Sequence, residues 1–321
     1  MKRDGPPLLE RRLCFVLGKG GVGKSTVAAT LAAAHSLEGR RTLLVEVLGR
    51  NRLSGLLSER EVGDDPVRVR GDLWAIAIDP EHATEEYLRG QLKVRALAEV
   101  LVHSRAFKGF AAAAPGLAEM VTIGKIWKLA VELRPSGDAP TWDRLVVDCP
   151  ATGHGIAMLE TAGNVRDIAR SGPIHDQADR IEQVVTHPAA TGVAVVARPD
   201  ELPVGEACDA VARLDELGIP VAAAVLNAAI PRRFDGDEAD VLRRALAEDL
   251  GPAGRTAAEA ALAELDAADR QRAHRERLEE TGLPILELPL VAHGRMDESS
   301  IEWLAAALLD QFRRPRQAVA Q

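Results

Sequence analysis

The stretch Leu17–Leu31, "LGKGGVGKSTVAATL", decides how the rest of the chain is read. An apolar, β-branched run ends at Leu17. Gly18, Gly20, Gly21 and Gly23 follow, and an alanine-rich helical pattern opens at Ser25. Gly18, Gly23, Lys24 and Ser25 fit the spacing G-x-x-x-x-G-K-[ST] between a strand and a helix. Glycines at such a turn let backbone N–H groups face phosphate oxygens at a distance a side chain would prevent. Lys24 brings a point charge to the β- and γ-phosphates, the Ser25 hydroxyl suits Mg²⁺, and the helix start adds the positive end of its dipole. The expected binding set is Gly18, Gly20, Gly21, Val22, Gly23, Lys24, Ser25 and Thr26, with ATP or ADP and Mg²⁺ as ligands.

Outward from this loop, short apolar runs alternate with helical stretches. Leu13–Leu17, Thr42–Val47, Leu73–Ile78, Arg144–Asp148, Gly192–Ala197, Val221–Leu226 and Ile285–Leu288 read as buried strands. Continuous apolar strands separated by helices predict an α/β fold, a mainly parallel sheet with helices on both faces. Ser25–Leu37 reads as a helix stopped by Gly39, and Pro203–Leu217 as one stopped by Gly218. Residues 82–135 show no strand pattern and read as a helical insertion broken at Pro115–Gly116. It is expected to be the most mobile region and the surface for a protein client or partner. Residues 254–280 read as a long, charged surface helix. The expected organisation is a loose tail over residues 1–11, one nucleotide-binding domain over 12–313, and a tail over 314–321.

Composition narrows the function. Lys+Arg number 40 and Asp+Glu 48, giving a net charge of -8, which argues against a general nucleic-acid surface. No apolar run reaches the ~18 residues of a membrane span, and the N-terminus lacks the ~7–15-residue apolar core of a signal peptide. Membrane contact is not expected. Cys14, Cys149 and Cys208 stand far apart without a CxxC pair, the pattern of a reduced cytoplasmic protein. Asp148 ends the strand "RLVVD" and is the second metal residue beside Ser25. The "CPATGHG" that follows offers backbone N–H groups, Gly153 among them, for closing on a γ-phosphate.

The second lysine of the loop, Lys19, gives it a resemblance to the deviant phosphate loop of the SIMIBI-class ATPases, which include MinD, ParA, nitrogenase iron protein and ArsA. In that class this lysine reaches across a dimer to the partner's nucleotide. "DCPATGH" resembles the D-T-A-P-T-G-H motif of the ArsA and tail-anchored-protein targeting family, with alanine and proline exchanged. "APGLAEM" resembles that family's P-G-x-x-E stretch, and "ARPDELPVGEACDAVARLDELGIPVAAAVLN" its late strand-helix-strand. Asn227 falls where the family contacts adenine, and "LPLVAHG" resembles the loop that closes the adenine pocket. The resemblance spans nearly all of residues 12–313. "VEVLGRNRL", "AIDPEHATEEYL" and "SGPIHDQ" look most like the paired single-domain ArsA-like ATPases of actinobacteria. It implies a homodimer, or a heterodimer with a paralogous ArsA-like ATPase.

The chain also departs from the family. Where the family has D-P-A-H, with the aspartate orienting the attacking water, "LLVEVLGRN" puts Leu48 and Gly49. Leucine neither accepts a proton nor orients water. Glu46, two residues earlier on the same side of the strand, is the candidate replacement, or else a buried structural partner of Lys24. Without CxxC the zinc clamp of the targeting branch has no ligands, and the scattered cysteines give no support to arsenite transport. His154 in the switch motif is equally suited to an orienting role as to a catalytic one.

Three functions follow from the sequence. The first is an ArsA-like ATPase with slow Mg²⁺-dependent hydrolysis and nucleotide-dependent dimer switching, in which Lys19, Lys24, Asp148 and Glu46 carry the chemistry. The second is a hydrolysis-deficient regulatory or structural subunit of an active paralogue. The third, a MinD- or ParA-like surface-binding ATPase, rests on Trp303, Leu304, Leu308 and Phe312 along one face of the last helix, followed by Arg313 and Arg314. Docking of that helix on the core is the better reading.

Overall fold

The computed structural model describes residues 7–47, 52–57, 61–91, 116–131, 141–248, 250–291 and 296–313. An eight-stranded sheet runs through the molecule in the order β3-β4-β2-β5-β1-β6-β7-β8. The strands are β1 (Leu13–Gly18), β2 (Thr42–Val47), β3 (Val67–Arg70), β4 (Leu73–Ile78), β5 (Arg144–Asp148), β6 (Thr191–Ala197), β7 (Val221–Ala229) and β8 (Ile285–Pro289). Every pair is parallel except β3 with β4, which is antiparallel. The interior strands β1, β2 and β6 are buried along their whole length, as continuous apolar runs dictate.

Ten helices cross the strands: α1 (Lys24–Leu37), α2 (Arg52–Leu57), α3 (Pro80–Gln91), α4 (Leu117–Val131), α5 (Thr152–Ala169), α6 (Pro173–Val185), α7 (Glu201–Glu216), α8 (Gly236–Ala247), α9 (Gly251–Glu279) and α10 (Glu298–Arg313) among the described residues. They cover both faces. One layer packs Leu31 of α1 and Ile301, Leu304 and Leu308 of α10 on Cys14, Val16, Leu44 and Val146. The other packs Ile123 and Ile126 of α4, Met158 of α5, Ile181 of α6 and Val204 of α7 on Phe15, Leu43, Leu145 and Val195.

Several expectations are corrected. Residues 7–11 are no loose tail: Leu8–Glu10 form a 3-10 turn, and Leu8, Leu9 and Arg11 are buried, with Arg11 Nη1 donating to the Thr191 carbonyl at 2.7 Å. The second half of the expected insertion is core, because α4 buries Val121, Ile123, Ile126 and Ala130 and packs against α3, α5 and α6. Residues 92–115 and 132–135 of that insertion lie outside the described residues. The last helix docks on α1, and Leu304 and Leu308 are buried, but Trp303 is 53% exposed and so stands off the face expected for it. The edge strand β3, "VRVR", was not expected. Its half-polar alternation is that of a short, one-sided edge strand, too brief to announce itself.

Candidate functional site

The chain leaves β1 at the centre of the sheet, and its successors diverge to opposite sides, β2 beyond β5 and β6 next door. Ligands of open α/β sheets bind in the crevice at the carboxyl ends of the strands where the order reverses. The phosphate loop lies there.

The loop's geometry requires its glycines. Gly21 and Gly23 have φ of +86° and +89°, where an L side chain is strained. A Cβ on Gly18 would lie 2.6 Å from the Val196 carbonyl oxygen, and one on Gly23 2.1 Å from Asn227 Nδ2. Beyond Gly20 and Gly21 there is open space. Gly23 caps α1 without a side-chain hydrogen bond. Helix α1 thus opens at the loop with no side-chain cap, the kind of N-terminus that receives an anion. Lys24 is buried, and its Nζ donates to the Lys19 carbonyl at 3.0 Å, arching over the loop.

The expected metal residues meet. Ser25 Oγ donates to Asp148 Oδ2 at 2.6 Å, across 123 residues of sequence, with Asp148 buried at the end of β5. A hydroxyl and a carboxylate beside a phosphate cradle are the hard oxygen donors Mg²⁺ takes when substrate phosphates complete its shell. Among the described residues no group of three His, Cys, Asp or Glu gathers into a protein-only metal site. The residues thus fit a metal held jointly with nucleotide, through Ser25 and Asp148.

Glu46 is in register with Asp148 on the neighbouring strand, so the two acids share one side of the sheet. It is 2% exposed, and its Oε2 receives a long contact, 3.5 Å, from the Leu53 N–H of α2. This contact was not foreseen, and it directs the carboxylate toward α2. Leu48 and Gly49 lie outside the described residues.

Asn227 closes the other flank. It is buried, and Nδ2 donates to the Val22 carbonyl at 2.8 Å, tying β7 to the phosphate loop. Ala228 follows with φ +58°, and the β7–β8 register slips between Asn227 and Ala229. A non-glycine in this region costs roughly 1–2 kcal/mol and persists where its surroundings insist on it. Here the kink aims the Asn227 amide at the loop. The next residue is held from behind: Gln271 of α9 accepts from the Ile230 N–H at 2.8 Å and donates to its carbonyl at 3.1 Å. Arg232 pairs with Asp269 at 3.6 Å and Arg233 with Glu264 at 3.1 Å. Sequence reading took α9 for a bland surface helix and missed this grip, because a single buried glutamine in a charged helix carries no periodic signal.

Gly153 lies in the first turn of α5, and the exposed His154 follows it. Between that turn, the loop and α7 is a pocket of about 440 Å³ lined by Lys19, Gly20, Thr152, Gly153, Glu206 and Arg213, among others. Lys19 forms a salt bridge across it to Glu206 Oε1. No sequence signal joined those two residues, 187 positions apart. The cysteines take no part. Burial pushes the Cys14 thiol up to about 12 and that of Cys149 well above its ordinary value, and Cys208 rises for the same reason.

The profile of the anion-transporting ATPase family matches residues 11–171, which hold the phosphate loop, Asp148 and Gly153. The chain belongs to that family. This ArsA-type ATPase is 31% identical over 319 residues to the ATPase BagA of Mycobacterium tuberculosis, covering 94% of this chain and 93% of that one. It is also similar to the ATPase ARSA1 of Chlamydomonas reinhardtii, 28% identical over 185 residues, 47% of this chain and 22% of that one. The ATPase GET3 of Podospora anserina is 28% identical over 151 residues, 46% of this chain and 42% of its own length. The match to BagA extends the kinship past residue 171, to the β7 strand that carries Asn227.

Proposed function

We propose that this ArsA-type ATPase binds Mg²⁺–ATP in the phosphate loop, hydrolyses it slowly, and closes onto a second such chain, a copy or a paralogue, when ATP is bound. The observation that carries the reading is the Ser25–Asp148 hydrogen bond of 2.6 Å beside a loop bridged by Lys24. The loop N–H groups, Lys24 and Asn227 place the nucleotide. Ser25 and Asp148 would hold Mg²⁺, which neutralises phosphate charge when bound. ATP that touches the closed pair better than the open chain shifts the population toward closure by that difference. Cytoplasmic residence, and a protein client at the helical insertion over residues 82–135, belong to the same proposal.

Slow turnover follows from Leu48. General-base assistance is typically worth ~10²–10⁴-fold, so its loss leaves hydrolysis low while binding survives. Glu46 is the nearby acid on the same face, and its contact with Leu53 turns it to α2. That contact also favours a second reading, a nucleotide-binding subunit that leaves hydrolysis to a paralogue. Single-turnover hydrolysis by the chain alone and with the paralogue separates the two.

The test is titration calorimetry and steady-state hydrolysis. Lys24→Ala abolishes most ATP binding, and an unchanged affinity would sink the site. Leu48→Asp speeds hydrolysis, while Glu46→Gln changes it little. If Glu46→Gln alone stops turnover with ATP still bound, Glu46 is the relocated base. Against the surface-binding reading stands the burial of Leu304 and Leu308 of α10, which packs on α1, while Trp303 of the same helix is exposed.

A further inference from the structure

We infer that Glu206 is an intrachain latch for Lys19: it holds the loop lysine in the lone chain and must release it before two chains close on ATP. The inference rests on the dimer reading above and adds a control that the reading lacks.

Lys19 follows Gly18, which pairs with Val196 in the β1–β6 ladder, so the lysine's backbone leaves from an anchored strand end. Its carbonyl is engaged by Lys24 Nζ at 3.0 Å. Only the side chain is left to choose a direction, and it crosses the pocket to Glu206 on α7. The pair is open to solvent, with the Lys19 and Glu206 side chains 38% and 37% exposed. It joins two walls of the pocket at its mouth and covers no core. α7 is a firm base for such an acceptor. Val204 and Val211 bury its opposite face, Ala207 and Ala210 are buried alongside, and Arg213 ties it to Glu160 of α5 at 3.0 Å. The carboxylate therefore stays put while the lysine stem swings.

In this arrangement the ammonium is neutralised by its own chain. A lysine meant for a phosphate on a second chain is withheld until that phosphate outcompetes one carboxylate. A half-exposed ion pair is worth ~0.2–1 kcal/mol, or about 1.4- to 5-fold in an equilibrium constant. Two chains meeting symmetrically release two latches, so the factor is squared, to about 2- to 25-fold. The latch is a mild brake that ATP overcomes. Like any exposed pair, it weakens with salt.

Sedimentation of the full chain with Mg²⁺ and a non-hydrolysable ATP analogue tests this. Glu206→Gln tightens nucleotide-dependent association several-fold, and the gain shrinks between low and high salt. In a Lys19→Ala background, Glu206→Gln has no effect. In parallel, acylation of the monomer shows Lys19 labelling faster in Glu206→Gln. If association occurs and depends on Lys19, yet Glu206→Gln weakens it, Glu206 positions the lysine within the dimer and the latch is wrong. If association is unchanged and Lys19 labels equally, the pair does nothing and the latch is wrong. If no variant associates at all, the dimer reading fails, and the latch with it, while the labelling still shows whether the ion pair forms.

Discussion

Gly23→Ala should damage the protein through one contact. In the native chain Gly23 has φ +89°, and Asn227 Nδ2 occupies a place 2.1 Å from where an alanine Cβ would sit. Two costs follow. A non-glycine residue in this region costs roughly 1–2 kcal/mol. The methyl group also evicts the Asn227 amide, which now donates to Val22 at 2.8 Å. Leaving that carbonyl unsatisfied costs roughly 1–3 kcal/mol. The sum, roughly 2–5 kcal/mol, is a large part of the ~5–15 kcal/mol that holds a protein folded. At roughly 2 °C per kcal/mol for a chain of this size, Tm falls by about 4–10 °C. Urea denaturation and a thermal melt, each repeated in an Asn227→Ala background, read the two costs separately. With the amide already gone, Gly23→Ala loses only the backbone part, so the two substitutions couple by roughly 1–3 kcal/mol. An equal penalty in both backgrounds, or a melt within about 1 °C of wild type, would refute the reasoning.

Three further outcomes are expected. His35 is 1% exposed, and burial, then the nearby Arg144 and Arg40 charges, lower its pKa from 6.5 to about 3. The unfolded chain therefore takes up a proton that the folded one refuses, and stability falls as pH drops below about 6.5. At pH 5 the loss is ~2 kcal/mol, and a urea midpoint that does not fall between pH 7.5 and 5, or falls equally in His35→Leu, contradicts it. Gln271→Ala strips both bonds from Ile230 and costs roughly 1–3 kcal/mol, with faster amide exchange at Ile230; protected exchange in the variant would show that the glutamine is not the clamp. Iodoacetamide at pH 8 labels Cys208 first, because Cys14 and Cys149 are buried with thiols driven further up; early labelling of Cys14 would contradict its burial.

The parts of the molecule that repeat a pattern were legible. Thr42–Val47, Leu73–Ile78 and Arg144–Asp148 are strands with the bounds their apolar runs suggest. Ser25 and Asp148 could be brought together from a loop motif and a strand end. What stayed hidden depends on single side chains meeting at long range. The Asn227 amide reaches Val22 because Ala228 is kinked, and no propensity reports a kink in an alanine run. α4 looked like part of an appendage because its neighbours in sequence lack strands, yet Ile123 and Ile126 are fully in the core. Leu8 and Leu9 sit among charges and prolines, a tail by composition, and yet are buried in the same core layer as Val16 and Ala194 of β1 and β6.

The grip of α9 on the residues after Asn227 has a mechanical meaning. The helix is clamped between Glu264 and Gln271 and continues back to Gly251. The stretch from Gly251 to Ala263, which buries Ala258, is about 20 Å long at 1.5 Å per residue. It is a lever whose fulcrum, Gln271, reaches the phosphate loop through two hydrogen-bonded links, Gln271 to Ile230 and Asn227 to Val22. A tilt of about 10° moves its tip by about 3–4 Å over that length, so a small torque at the fulcrum and a large sweep at the far end are the same motion.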